Sequence, residues 1–497
     1  VQKPYHARIL RQNENYSVKK LGIFGSDLGA LACFFEKPWS SISPELTEIW
    51  KAWVLTSCAF CLRALGRLAE AGEPLRAGFD IARRASEEAK TDDIRVYQLR
   101  QAAIYSSNLS ELDLTLGEVA GAVGDAEQSV TYADRSGDAF MRLYSRTIHA
   151  DALHQAGRRA EAETRFREAE QMQAESQPAY PLLYSMSGFQ YCDLLLAAPE
   201  RAAWQICLGS AGFQPAVSGI LPGTSQRADS QRSSAAHEDP PPSAAQDARR
   251  SGQDARAPQI ESCRAVSQRA AQTLKIAERN NWLLDIALDH LTLGRAALYE
   301  AILEGRDGPL RRPRADEARD PTSHSSLAGS SQLDDPASDG FETARRELNA
   351  AVDGLRRAGT QHMIPRALLT RAWLRFLTGA RMDSTASASS PQAGSPQAGP
   401  ESAQEDLDEA WEIAERGPMK LFLADIHLYR ARLFGSRKSE VGSGNEEARY
   451  PWNKNPDGSA RGPRDDLAAA RRLIEQCGYG RRKEELEDAE AAILGRP

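Results

Sequence analysis

HADALHQAGRRAEAETRFREAEQMQ, residues 149–173, is the stretch on which the reading of this chain turns. Two runs of Ala, Leu, Arg and Glu, all strong helix formers, flank Gly157, a residue suited to leaving one helix and turning into the next. Beyond the glycine come Ala162, Phe166 and Ala169, which share one helix face. A small residue at the first and third places lets two helices approach closely. The large one between them fills the facing groove.

The same spacing recurs along the chain. Gly66, Ala71, Leu75 and Gly78 carry it, as do Gly117, Ala122, Ala126 and Ser129. It returns without the glycine at Ala344, Leu348, Ala351 and at Ala403, Leu407, Ala410, and more weakly at Pro463, Leu467, Ala470. The fourth copy fits two registers one turn apart, Val266, Ala270, Thr273 or Ala270, Leu274, Ala277. Four segments interrupt the array, at 205–262, 305–340, 380–402 and 435–462. They are rich in Ser, Gly, Pro and Gln, and one holds the tandem SPQAGSPQAG, so their composition predicts disorder. With these removed, adjacent copies lie roughly 32 to 51 residues apart, around a period of about 34. No segment alternates as a strand does.

The expected fold is therefore all-α, an α-solenoid of about seven helical hairpins with disordered inserts in the turns within the repeats. A helical lead covers 1–45, and 46–204 holds three repeats and the first helix of a fourth. Further repeat helices fill 263–304, 341–379 and 403–434, and 463–497 adds a last repeat helix and a cap.

A formal net charge of −7 gives no basic footprint for nucleic acid. The most apolar early stretch, LGIFGSDLGALACFF at 21–35, is too short to span a bilayer and carries Asp27. Seven scattered cysteines point to a reducing compartment, the cytoplasm, rather than to a secreted disulfide framework. The opening residues lack a signal-peptide core and begin with Val, which suggests a fragment.

No chemistry-bearing motif emerges. There is no G-x-x-x-x-G-K-[ST] loop, and Gly22, Gly25 and Gly29 lack the dinucleotide fingerprint, so close helix packing or a broken helix is their expected role. Cys58 and Cys61 form a C-x-x-C in an apolar helical run, where packing is the expected role. His149 and His154, five apart on a helix, point in different directions. Asp285, Asp289 and His290 are the only grouping with a conceivable acid/base or metal role, and a solvated or capping role is commoner. No cofactor or metal is expected.

The Gly, Ala, Phe, Ala spacing of 149–173 resembles the tetratricopeptide repeat, with Leu153 where that family has an aromatic residue. The longer run from KKLGIFGSDLGALACFF through ALGRLAEA, SNLSELDLTLGEVA, LLDIALDHLTLGRA and AVDGLRRAGTQH resembles the repeat-bearing C-terminal region of bacterial STAND signalling NTPases, which carry a NACHT-type or related nucleotide module upstream. The resemblance implies a non-catalytic sensing arm that binds a protein or peptide in its concave groove. Alternatives are a free-standing adaptor and an enzyme with an unfamiliar groove site. Since first helices line the concave face of such arrays, the groove-facing candidates are Arg63, Glu111, Tyr144, Asp151, His154, Asp193, Arg295, Arg366, Trp373, Asp425, Tyr429 and Arg432.

Overall fold

The computed structural model describes residues 2–11, 14–209, 244–305, 336–385, 400–435, 450–454 and 458–495. It is an all-α structure. A wide-turned helix Gln2–Ile9 precedes α1 (Tyr16–Lys19) and α2 (Phe24–Ala32). A small antiparallel hairpin follows, β1 (Phe35–Lys37) and β2 (Ser41–Ile42), with Phe35 opposite Ile42. This hairpin departs from the expectation of a purely helical lead. Pro38 removes a helical donor there, and Trp39 takes a positive φ of 68° and packs its ring on Phe35 at 5.4 Å.

Helices then succeed one another as α3 (Glu48–Ala64), α4 (Leu68–Glu87), α5 (Asp92–Leu116), α6 (Val119–Ser136), α7 (Ala139–Gln155) and α8 (Arg159–Ser176). Next come α9 (Ser185–Cys207), α10 (Ala244–Asn280), α11 (Leu283–Glu304), α12 (Pro336–Arg357) and α13 (Ile364–Thr385). The chain ends with α14 (Pro400–Arg416), α15 (Lys420–Gly435), α16 (Pro463–Cys477) and α17 (Lys483–Leu494). Single tight turns at Gln361–Met363 and Gly480–Arg482 lead into α13 and α17. Local sequence sets many of the boundaries. Asp138 accepts from the Met141 N–H at 2.8 Å to cap α7, and Gly117 and Gly137 end α5 and α6 in the left-handed conformation.

The small-large-small pattern forms the seam between neighbours. Ala71, Ala122, Ala162, Ala344 and Ala403 have no exposed surface, nor do Phe166, Leu348 and Leu407. In the fourth copy Val266, Ala270 and Thr273 are all buried while Leu274 is only partly so, which selects the first of the two registers. On α11, Gly294 sits so close to Leu348 that an added Cβ would lie 2.7 Å from its side chain.

Most of the four low-complexity segments lies outside the described residues. Their edges, however, are helical. Cys207 closes α9, and the Ala-rich 244–262 belongs to α10, as 336–340 does to α12, because Ala and Arg favour helix once anchored by residues such as Cys263. Residues 450–454 and 458–462 also depart from the expected disorder. Tyr450 is buried and donates its hydroxyl proton to Asp466, and Trp452 Nε1 donates to Asp408 at 2.7 Å. Two aromatics with polar handles tie this stretch to α14 and α16.

Helices early and late in the chain touch. Gly157 at the α7–α8 turn meets the backbone of Gly480, and Gly22 meets that of Ala358 and Gly359, contacts that leave no room for a Cβ. Gly22 has its expected packing role, whereas Gly25 and Gly29, on the face of α2 where nothing lies within 4 Å of an added Cβ, do not. Lys420 pairs with Glu118 at 3.0 Å across 302 residues of sequence.

Phe166, fully buried and stacked on Tyr191 at 4.9 Å, tests the seam. Phe166→Ala is expected to lower the unfolding free energy by about 3–5 kcal/mol in urea titrations; a loss below about 1 kcal/mol would mean that the repeated large residue is not core.

Candidate functional site

The inner faces of α7, α9, α11, α13 and α15 converge on charged side chains that are almost wholly removed from water. On α9, Asp193 and Glu200 are seven residues apart and so share a face. Asp193 accepts from Arg295 of α11 at 2.6 Å and from Arg481 of the turn before α17, with Arg366 of α13 and His154 of α7 each at 3.8 Å. Glu200 accepts from Arg295 at 3.2 Å, Arg482 at 3.0 Å and Arg481 at 3.3 Å. Arg482 also donates to Asp425 of α15 at 2.9 Å and Glu485 of α17 at 2.6 Å, and Arg432 donates to Glu485 at 3.0 Å.

The electrostatics follow from this geometry. Burial pushes the Asp193 carboxyl up, but Arg481, Arg295 and Arg366 outweigh it and hold the group well below the usual carboxylate range. Glu200 is lowered in the same way, with burial opposed chiefly by Arg482 and Arg295. For Asp151 burial wins, raising its carboxyl to about 6 although Arg366 acts against it. Burial, then Arg481, drives His154 well below its ordinary value, so it is neutral.

Beside this network lies a cavity of about 90 Å³, and next to it a second of about 350 Å³; Glu111 and Met186 form walls of both. Of the groove candidates, Glu111, Asp151, Asp193, Arg295, Arg366, Asp425 and Tyr429 line the smaller cavity. Arg63, Glu111 and Tyr144 line the larger, where Arg63 donates to Glu111 at 2.7 Å and Tyr144 stacks on Phe140. Arg366 is held between the rings of Phe189 and Phe422, 5.4 and 5.7 Å away.

Three candidates sit elsewhere. His154 packs behind Asp193. Trp373 has no exposed surface and stacks on Trp204 at 3.7 Å, and Arg432 lies 4.8 Å over that same Trp204. Trp373 is thus a core residue, because its helix face meets α9 and α15 rather than an open groove. Most of the others are buried too, leaving Arg63, Glu111, Tyr144 and Arg366 as the members with surface to offer.

Arg481, Arg482, Glu200 and Glu485 were missed from sequence. Two acids seven apart in the otherwise apolar SMSGFQYCDLLLAAPERAAWQIC were a usable signal, and so was a paired arginine between two helices.

Asp285, Asp289 and His290 do not form a constellation. Asp285 accepts from Ser185 at 2.7 Å, Asp289 from Thr273 at 2.7 Å, and His290 Nδ1 lies 2.6 Å from Glu347, so the three turn toward α9, α10 and α12. Cys58 and Cys61 are buried, with Cys58 pushed up to about 12 by burial, in line with a packing role. Among the described residues no group of three His, Cys, Asp or Glu is placed to hold a metal, and no helix is long and apolar enough to cross a membrane. The chain matches no protein-family model and no curated protein.

Two substitutions separate packing from polarity. Trp373→Ala is expected to cost about 3–5 kcal/mol of stability, read by urea unfolding. Asp289 is raised to about 7, first by burial, and its Oδ2 has no partner. A folded value above the unfolded one means that the folded form gains while Asp289 is protonated and loses as pH rises from about 4 to 7. Asp289→Asn should therefore match the parent near pH 4 and exceed it at pH 8, by up to about 4 kcal/mol. Equal stability of the two at pH 8 would refute this assignment.

Proposed function

We propose that the chain is a tetratricopeptide-type α-solenoid of about seven hairpins, α3–α4 through α15–α16, whose work is recognition rather than catalysis. The observation that carries this reading is the convergence of α5, α7, α9, α11, α13 and α15 on one pair of adjoining cavities. A repeated shape that points its first helices inward is suited to holding a partner segment. The burial of the repeated small residues on the second helices supports the same pairing.

The partner is a protein or peptide that approaches the rim near Phe60 and Phe140, both exposed aromatics beside the larger cavity. By the resemblance above, the chain is the sensing arm of a STAND-type NTPase whose nucleotide module lies outside these residues; a free-standing adaptor is the alternative. Seven free cysteines suit a reducing compartment, the cytoplasm. Asp193 and Glu200 are each engaged by several cations at once and held ionised, which supports a structural role for them over proton transfer.

The reading predicts that this chain alone neither binds ATP in the micromolar range nor hydrolyses it. Equilibrium dialysis with labelled ATP and a phosphate-release assay test this; saturable micromolar binding would overturn it. A G-x-x-x-x-G-K-[ST] motif in the reading frame upstream selects the sensor over the adaptor.

A further inference from the structure

The larger cavity differs from the smaller in what its polar groups still offer. Its walls are largely aromatic and aliphatic, with Phe24, Phe60, Phe140, Leu143, Tyr144 and Leu183 among them. At about 350 Å³ it exceeds the ~150 Å³ apolar cavity that accommodates benzene by about twofold, room for a two-ring body.

Its polar groups are only partly engaged. Glu111 takes its hydrogen bond from Arg63, and Asp285 takes one from Ser185 at 2.7 Å. Arg63 gives one N–H to Glu111, and a guanidinium has five. Lys19 Nζ lies 5.1 Å over the Trp282 ring and has no ion pair among the described residues. Thr360, only 3% exposed, holds a buried hydroxyl with no hydrogen-bond partner. The turn Gln361–Met363 packs on α3, and Thr360 and Arg63 both line the cavity. At the rim, Ser185 adopts φ 60°, a left-handed conformation unusual for a residue other than glycine, and strain of this kind clusters at ligand sites.

We propose that this cavity is a binding site for a small aromatic carboxylate, its rings between the aromatic walls and its carboxylate on Arg63 and the Thr360 hydroxyl. Arg63 and Thr360 keep unfilled donors, and a carboxylate is an acceptor that satisfies a guanidinium and a hydroxyl together. His362, two residues from Thr360 and on the wall of the smaller cavity, is brought down to about 3 first by burial and then by Arg63. The site does not depend on the sensor reading, since a free-standing adaptor would have the same cavity.

Calorimetric titration of the full chain with sodium 2-naphthoate, 2-naphthamide and 2-naphthylmethylamine tests the proposal. The naphthoate is expected to saturate one site in the micromolar range, the amide to bind at least tenfold more weakly and the amine not to saturate. Arg63→Gln should weaken the naphthoate at least tenfold and leave the amide little changed. That change leaves Glu111 unpaired, so Thr360→Val serves as the second variant. It removes a hydroxyl that bonds to nothing in the protein, and should lower naphthoate affinity at least threefold without lowering the melting midpoint of the unliganded chain. Absence of saturable naphthoate binding, equal or tighter binding of the amine, or unchanged naphthoate affinity in Thr360→Val overturns it.

Discussion

The dependence of the whole architecture on one interaction is clearest at Asp193. A carboxylate so thoroughly withdrawn from water, left alone, would either take up a proton or cost several kcal/mol. It stays ionised because Arg295, Arg366 and Arg481 reach it from three other parts of the chain, the last from 288 residues away. No single neighbour suffices, since each arginine carries its own desolvation cost; Arg295 and Arg481 share Glu200 with Arg482, which in turn reaches Asp425 and Glu485. The helices that supply these groups can be buried together or not at all. Such a network contributes little net stability compared with apolar packing, but it penalises any arrangement in which one member is missing.

The seam and the network divide the work. Along the chain, neighbours are held by small residues that let helices approach, with Phe166 or Leu348 filling the facing groove. That packing is local and would tolerate many degrees of coiling. Across the coil, contacts such as Gly157 against Gly480 and Lys420 with Glu118 join turns that are distant in sequence. A registry error of one turn would satisfy the seam almost as well, yet it would strand Asp193 without its arginines. The charged interior thus ties together helices that are distant in sequence.

The sequence exposed the seam and hid the winding. Ala162, Phe166 and Ala169 show a helix face because burial has a period, and every strong copy of that pattern is buried as expected. The helical character of the chain was legible for the same reason. The candidates Asp151, Asp193, Arg295 and Asp425 were singled out for partner binding, and the structure buries them around a network whose further members Arg481, Arg482, Glu200 and Glu485 were not. Arg481 and Arg482 lie in a turn, and a turn has no period to betray which way its side chains point. Trp373 was misplaced for a related reason. Whether an aromatic on an inner face meets a partner or another helix depends on the radius of the coil, a long-range property that no local window encodes. Tyr450 and Trp452 were lost in a low-complexity background, where two anchoring aromatics leave the average composition almost unchanged.

The two cavities follow from where the network ends. Around the smaller one, acids and arginines from five helices neutralise each other, so a guest would have to break strong pairs to gain new ones. Toward α2, α3 and the start of α9 the charges thin out, aromatic walls replace them, and Thr360 and Arg63 keep donors that the protein does not use. Binding energy is available only where burial has left polar capacity unmatched, because a guest there replaces an absent interaction and not an existing one. The rigid charged interior then serves as the support that holds those walls and donors in place, and the same constraint that ties distant helices together fixes the shape of the site.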